Sequence, residues 1–176
     1  MVSFFEKIIA ILHELNIPYM LSGSVAMSLY IVPRATRDFD FIIHLESKDI
    51  DRFIANFEDG YYCDRDAIQD AINRRSMFNI IDHASGFKAD FVVLKPDPFR
   101  QMEFSRRIQM DFYGQVVYVV SVEDLLISKL IWIQDVQSAI QMEDIRNLVS
   151  LENLDWNYIK TWINKLRLNS FNLFQV

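Results

Sequence analysis

Glycine and proline are scarce in this 176-residue sequence, at four each, which leaves little room for long flexible linkers or low-complexity segments. Cysteine is scarcer still: Cys63 stands alone, excluding an intrachain disulfide and a thiolate zinc cluster. The three histidines, His13, His44 and His83, are scattered without ligand spacing. Positive charge is also short. Eighteen Lys and Arg against 24 Asp and Glu give a formal net charge of −6, a poor match to broad nonspecific nucleic-acid binding. No internal repeat is present, and the apolar opening from Val2 to Leu15 is interrupted by Glu6, Lys7, His13 and Glu14. That segment is too short to span a bilayer and has no small-residue cleavage site, so the expectation is a cytoplasmic protein with no membrane association.

What the sequence does have is apolar mass. Hydrophobic residues make up 51% of the chain, and 14 of them are Phe, which points to a core built on aromatic rings. Val2 to Asn16 carries helical periodicity, with Ser3 as its N-cap and Glu6 in the capping-box position. A short buried strand, Tyr19-Met20-Leu21, turns at Ser22-Gly23-Ser24 into a helix from Val25 to Tyr30. Phe39 to Leu45 reads as a strand, and Ser47 caps a helix to about Phe57. Tyr61-Tyr62-Cys63 is a short strand, and Asp64 begins a helix to Ile72. Met77–Asp82 with Phe87–Leu94, and Ile108–Phe112 with Val116–Val120, read as two hairpins. Helical periodicity then returns in Val122–Gln134, Met142–Ser150 and Asp155–Leu168. The expected architecture is α+β: a mixed β-sheet flanked by helices over 1–120, with a helical C-terminal portion over 121–176 packed on it.

The chemistry concentrates at Asp38 and Asp40. Strand alternation puts both side chains on one face, roughly 7 Å apart, a spacing at which two carboxylates can share Mg²⁺ or Mn²⁺. Two further D-x-D triplets, Asp49-Ile50-Asp51 and Asp64-Arg65-Asp66, fall at helix starts, where acidic residues offset the helix dipole. Upstream, Gly23 and Ser24 lie between a strand and a helix, where a glycine admits a phosphate to the backbone and a serine donates to it; a tight turn with Ser24 as a cap is the plain alternative. Downstream, Asp90 sits between apolar neighbours, where a carboxylate is costly without a partner. On a strand next to Asp38 and Asp40 it can complete a metal site and take a proton from an attacking hydroxyl; pairing with Lys88 in solvent is the alternative.

Gly23-Ser24, then Asp38-x-Asp40, then Asp90 resembles the pattern of the nucleotidyltransferase superfamily. The stretch Gly23-Ser24-x-Ala26 with Arg34-x-Thr36-x-Asp38-x-Asp40 is most similar to its small bacterial members, including the AbiEii/AbiGii group of toxin nucleotidyltransferases. Val122 to Leu130 resembles the family's helical Asp-then-Lys element, and Met142 to Leu148 its later Asp-containing helix. That last element departs from the pattern, with Gln141, Met142, Glu143 and Asn147 where basic residues and a second Asp are usual.

The resemblance implies transfer of a nucleoside monophosphate from a nucleoside triphosphate to a hydroxyl acceptor on a small molecule, tRNA or protein. Asp38, Asp40 and Asp90 would hold Mg²⁺ or Mn²⁺, while Gly23, Ser24, Arg37 and Lys129 would contact the triphosphate. Lys129, on an otherwise apolar helix, can equally snorkel to solvent. Arg74-Arg75 and Arg106-Arg107 form either a local basic strip for RNA or a solvated surface. Rival functions are a nucleotide-binding regulator with weakened turnover, a toxin–antitoxin or phage-defence component, and an unrelated metal phosphohydrolase. The aromatic tail ending Phe171-Asn172-Leu173-Phe174 is a candidate homo-oligomer interface.

Overall fold

Along Asp38–Ile43 polar and aromatic residues alternate, so one face of that strand buries Phe39 and Phe41 while the other presents Asp38 and Asp40. The computed structural model, which describes residues 2–32, 35–57 and 59–174, extends this two-faced pattern across a seven-stranded mixed sheet. Helix α1 (Val2–Glu14) leads into β1 (Tyr19–Ser22) and the short α2 (Gly23–Met27). Then come β2 (Asp38–Ile43), α3 (Ile50–Ile54), β3 (Tyr61–Tyr62), α4 (Arg65–Arg74), β4 (Met77–Asp82) and β5 (Lys88–Val93). Helix α5 (Pro98–Ser105) precedes the hairpin β6 (Ile108–Phe112) and β7 (Gln115–Val119), and the chain continues as α6 (Val122–Asp135), α7 (Ala139–Val149) and α8 (Trp156–Leu166). The strand order is β3-β4-β5-β2-β1-β7-β6, parallel at β5/β2 and β1/β7 and antiparallel elsewhere.

The aromatic face is the structural one. Phe5 of α1 packs on Phe39 and Phe41, and Phe53 of α3 packs on Phe78 and Phe91, with ring centroids 5.2–6.1 Å apart. Phe41, Phe91 and Phe78 stack in sequence across β2, β5 and β4 at 5.3 and 5.1 Å. Each ring buries a large apolar area and the tilted and stacked geometries add a further increment, about 0.5–1.5 kcal/mol per pair.

Several boundaries differ from the sequence reading for local reasons. Helix α1 already includes Ser3, so Ser3 sits in the first turn rather than capping it. Before α3, a 3₁₀ turn at Ser47–Asp49 replaces the expected helix start, and a capping box between Glu46 and Asp49 does the work assigned to Ser47. Helix α2 ends at Met27, earlier than expected, with turns through Ile31. Helix α5 was not anticipated, although Asp97 caps it through the Arg100 N–H at 3.0 Å and Pro98 fills its first turn.

The helical portion is fastened to the sheet through Asp124, whose side chain is fully withdrawn from solvent. Its carboxylate accepts from Arg106 Nε at 3.0 Å, Ser121 Oγ at 2.6 Å and Tyr158 Oη at 2.5 Å, joining the segment after α5, the start of α6, and α8. The tail folds back on its own chain: Phe174 meets Trp156 at 5.6 Å, and Phe171 and Leu173 pack against the core. Among the described residues no helix is long and apolar enough to cross a membrane.

Candidate active site

The in-register parallel pairing of β2 with β5 sets Asp40 opposite Asp90 and Asp38 opposite Lys88. Antiparallel neighbours extend the first row to Ser22 on β1 and Asn79 on β4. Cross-strand partners share a sheet face, so Ser22, Asp40, Asp90 and Asn79 form one polar row, with Asp38 and Lys88 as a second row beside it. The third carboxylate therefore reaches the pair as the sequence implied.

Gly23 is fixed by this row. Its φ of +63° lies in the left-handed region, and a Cβ there would overlap the Asp40 carboxylate, coming within 2.8 Å even of the Asp40 Cβ. The main-chain N–H of Ser24 donates to the same carboxylate. The sequence reading assigned this glycine to a phosphate; the structure shows that it is first required to let Asp40 lie against the β1–α2 turn.

Charge is crowded here. Burial, then the Asp90 and Asp38 carboxylates, push Asp40 up to about 6, against the pull of Lys129 and the Ser24 N–H. Asp90 is 8% exposed; its Oδ1 is buried without a hydrogen-bond partner, while Oδ2 lies 2.7 Å from Lys88 Nζ. That contact raises the Lys88 pKa, the hydrogen bond to Asp90 being the main cause. Lys88 also approaches Asp38 Oδ1 at 3.9 Å. The side chains that Asp38 and Asp40 present on this face are hard carboxylate donors, which suit Mg²⁺ or Mn²⁺. Even so, among the described residues no group of three His, Cys, Asp or Glu side chains is arranged to hold an ion.

Above this face lies α6. Lys129 is 5% exposed and does not snorkel: its Nζ donates to Gln141 Oε1 at 2.9 Å and Asp144 Oδ2 at 2.8 Å, both on α7. Gln141, a departure from the superfamily pattern, is thus a partner of the buried lysine. A cleft of about 550 Å³ runs between sheet and helices, with Gly23, Ser24, Asp40, Arg100, Lys129 and Trp132 among its lining. The structure so brings Gly23, Ser24, Asp40 and Lys129 to one cleft, with Asp38 and Asp90 alongside Asp40 on the sheet face. Arg37 is not on the cleft wall. Its side chain is exposed, and its carbonyl accepts the Lys88 N–H at 3.1 Å. Arg34 lies outside the described residues.

Sequence reasoning missed the group that closes the far wall. Glu103 of α5 is fully buried; its carboxylate takes Arg100 Nη1 at 2.8 Å and Ser128 Oγ at 2.5 Å, and Arg100 also reaches Ser128 at 2.6 Å. Burial raises the Glu103 pKa, and Arg100 opposes it. The Asp97-Pro98 helix start was the available signal for this element. Each arginine of the suggested basic strip has a partner within the chain: Arg74 pairs with Asp70, Arg75 reaches the Leu94 carbonyl, Arg106 binds Asp124 and Arg107 binds the Phe104 carbonyl. The other two D-x-D triplets serve local structure, Asp49 within a capping box and Asp64 accepting the Ala67 N–H at 2.8 Å.

Comparison with known proteins places the chain in a family and shows its fold elsewhere. Residues 1–174 match the model of a family described as nucleotidyltransferase of unknown function (DUF6036). The fold is similar to that of the antibiotic-resistance factor ANT(2'')-Ia in complex with adenylyl-2''-tobramycin, at 15% identity and a TM-score of 0.63, covering 94% of this chain and 96% of that one. The lincosamide antibiotic adenylyltransferase LnuA, bound to lincomycin, is similar at 15% identity and a TM-score of 0.56, covering 81% and 92%. No curated protein matches in sequence.

Proposed function

We propose, from the premise that this chain belongs to the family of nucleotidyltransferases of unknown function, that it transfers a nucleoside monophosphate from a nucleoside triphosphate to a hydroxyl of a small molecule. The observation that carries the reading is the register of β2 and β5, which aligns Asp40 with Asp90 beneath a cleft that also holds Gly23, Ser24 and Lys129. Mg²⁺ or Mn²⁺ held by Asp38 and Asp40 would neutralise the triphosphate.

The chain's own groups do the rest. Ser24 and the β1–α2 turn receive the phosphates, and Lys129, ion-paired with Asp144, adds positive potential across the cleft. Asp90 Oδ1, buried and unpartnered, takes the proton of the acceptor hydroxyl. The acceptor oxygen bonds to the α-phosphorus as the bond to the bridging oxygen breaks, and pyrophosphate leaves with the electron pair.

A small-molecule acceptor is supported by the cleft's volume of about 550 Å³, inside the range of such sites, roughly 300–1,000 Å³. The acidic chain favours it over RNA. Of the structures with a similar fold, LnuA is bound to lincomycin and ANT(2'')-Ia to adenylyl-2''-tobramycin, both small molecules. Mass spectrometry of small-molecule pools incubated with protein, triphosphate and Mn²⁺ tests the reading. It predicts an acceptor heavier by one nucleoside monophosphate residue, absent with Asp40→Asn. Modified tRNA or protein, with no small-molecule product, would refute the acceptor assignment.

A further inference from the structure

One corner of the acidic face is not acidic. Because Asp38 faces Lys88 and Asp40 faces Asp90, four side chains stand at the corners of a quadrilateral, three carboxylates and one ammonium. Lys88 is not a loose surface charge: its side chain keeps 32% of its exposure, and Nζ lies 2.7 Å from Asp90 Oδ2 and 3.9 Å from Asp38 Oδ1. The contact occupies one oxygen of Asp90 and leaves the other, Oδ1, buried without a partner. Among the described residues the three carboxylates are not grouped as a three-ligand cage.

We propose that Lys88 is a built-in monovalent cation of the site, occupying the place of a second divalent ion and holding Asp90 for the acceptor proton. The inference rests on the reading of Asp38 and Asp40 as metal ligands. Three carboxylates with one ammonium carry a formal charge that a single divalent ion neutralises, and Lys129, ion-paired with Asp144, adds positive potential that further disfavours a second ion. A second divalent ion at Asp90 would have to displace an ammonium in hydrogen-bond contact and bring two like charges together in a partly buried place, which is unfavourable. Asp90 Oδ2 is therefore kept from metal, and Oδ1 remains for the proton.

The test is Mn²⁺ titration of the full chain without nucleotide, with free Mn²⁺ read by electron paramagnetic resonance and folding checked by thermal melting. One Mn²⁺ per chain is expected for the unmodified protein. Lys88→Met should admit a second ion or bind at least on the order of tenfold more tightly, since losing one repulsion between a divalent ion and an ammonium a few ångströms away is worth that even at the dielectric of water. Lys88→Arg, which keeps the charge, should retain single-ion binding. Two ions on the unmodified protein, or a Lys88→Met titration superimposable on it, overturns the inference; if Asp40→Asn still abolishes binding, the metal-site reading stands alone. Absence of Mn²⁺ binding by the unmodified protein and Lys88→Met alike overturns both.

Discussion

Asp40 is the residue on which most of the local geometry converges. It accepts the Ser24 N–H, lies against Gly23 and faces Asp90 across the strand pair. Its pKa, pushed up to about 6 from an ordinary 3.8, sets a pH signature in the metal-free protein. A carboxyl that binds its proton more tightly when folded adds stability that is complete below the unfolded pKa and lost as pH rises through the folded one. Melting in chelator should therefore show the unmodified protein losing stability relative to Asp40→Asn between about pH 4 and pH 6. A constant difference across that window would contradict the assignment. Gly23→Ala imposes both a left-handed backbone on a residue with a Cβ and an overlap with Asp40. The expected cost is at least about 1 kcal/mol from the backbone alone, read by denaturant unfolding, together with loss of triphosphate binding.

Elements were easier to read than the contacts between them. The strand carrying Asp38 and Asp40 and the hairpin carrying Asp90 were legible because alternation and turn residues are local signals. Their parallel pairing was not, since nothing within β2 or β5 names the neighbour; the sequence supplied only the superfamily resemblance. Helix α5 was missed because its apolar residues, Phe99 and Phe104, are few and its polar ones are buried through partners far along the chain, such as Ser128 for Glu103. The same holds for Lys129, whose partners on α7 lie 12 and 15 positions away. At this scale Arg106 is the informative substitution. Arg106→Met leaves the fully buried Asp124 with hydroxyl donors alone and should cost about 3 kcal/mol, measured by urea unfolding. Loss of well under 1 kcal/mol would show that Ser121 and Tyr158 suffice to hold that carboxylate.

For the molecule as a whole, the two faces of one sheet divide the labour. The aromatic face anchors α1 and α3, and Phe91, stacked between Phe41 and Phe78, is its centre. Phe91→Ala should remove about 3–5 kcal/mol of stability, detected as a cooperative shift in the urea midpoint; a small shift would mean that the stack is not the core's keystone. The opposite face gathers the carboxylates and receives α6, so that folding the helical portion onto the sheet also forms the cleft. Whether that cleft performs nucleotidyl transfer is decided most directly by following two labels in parallel, α-³²P and γ-³²P nucleoside triphosphate, with Mn²⁺ and a pool of hydroxyl acceptors. The account predicts that the α label moves to an acceptor while the γ label leaves in pyrophosphate, and that Asp40→Asn reduces both by roughly two to three orders of magnitude. Release of the γ label as inorganic phosphate, or binding of triphosphate with neither label moved, would contradict it.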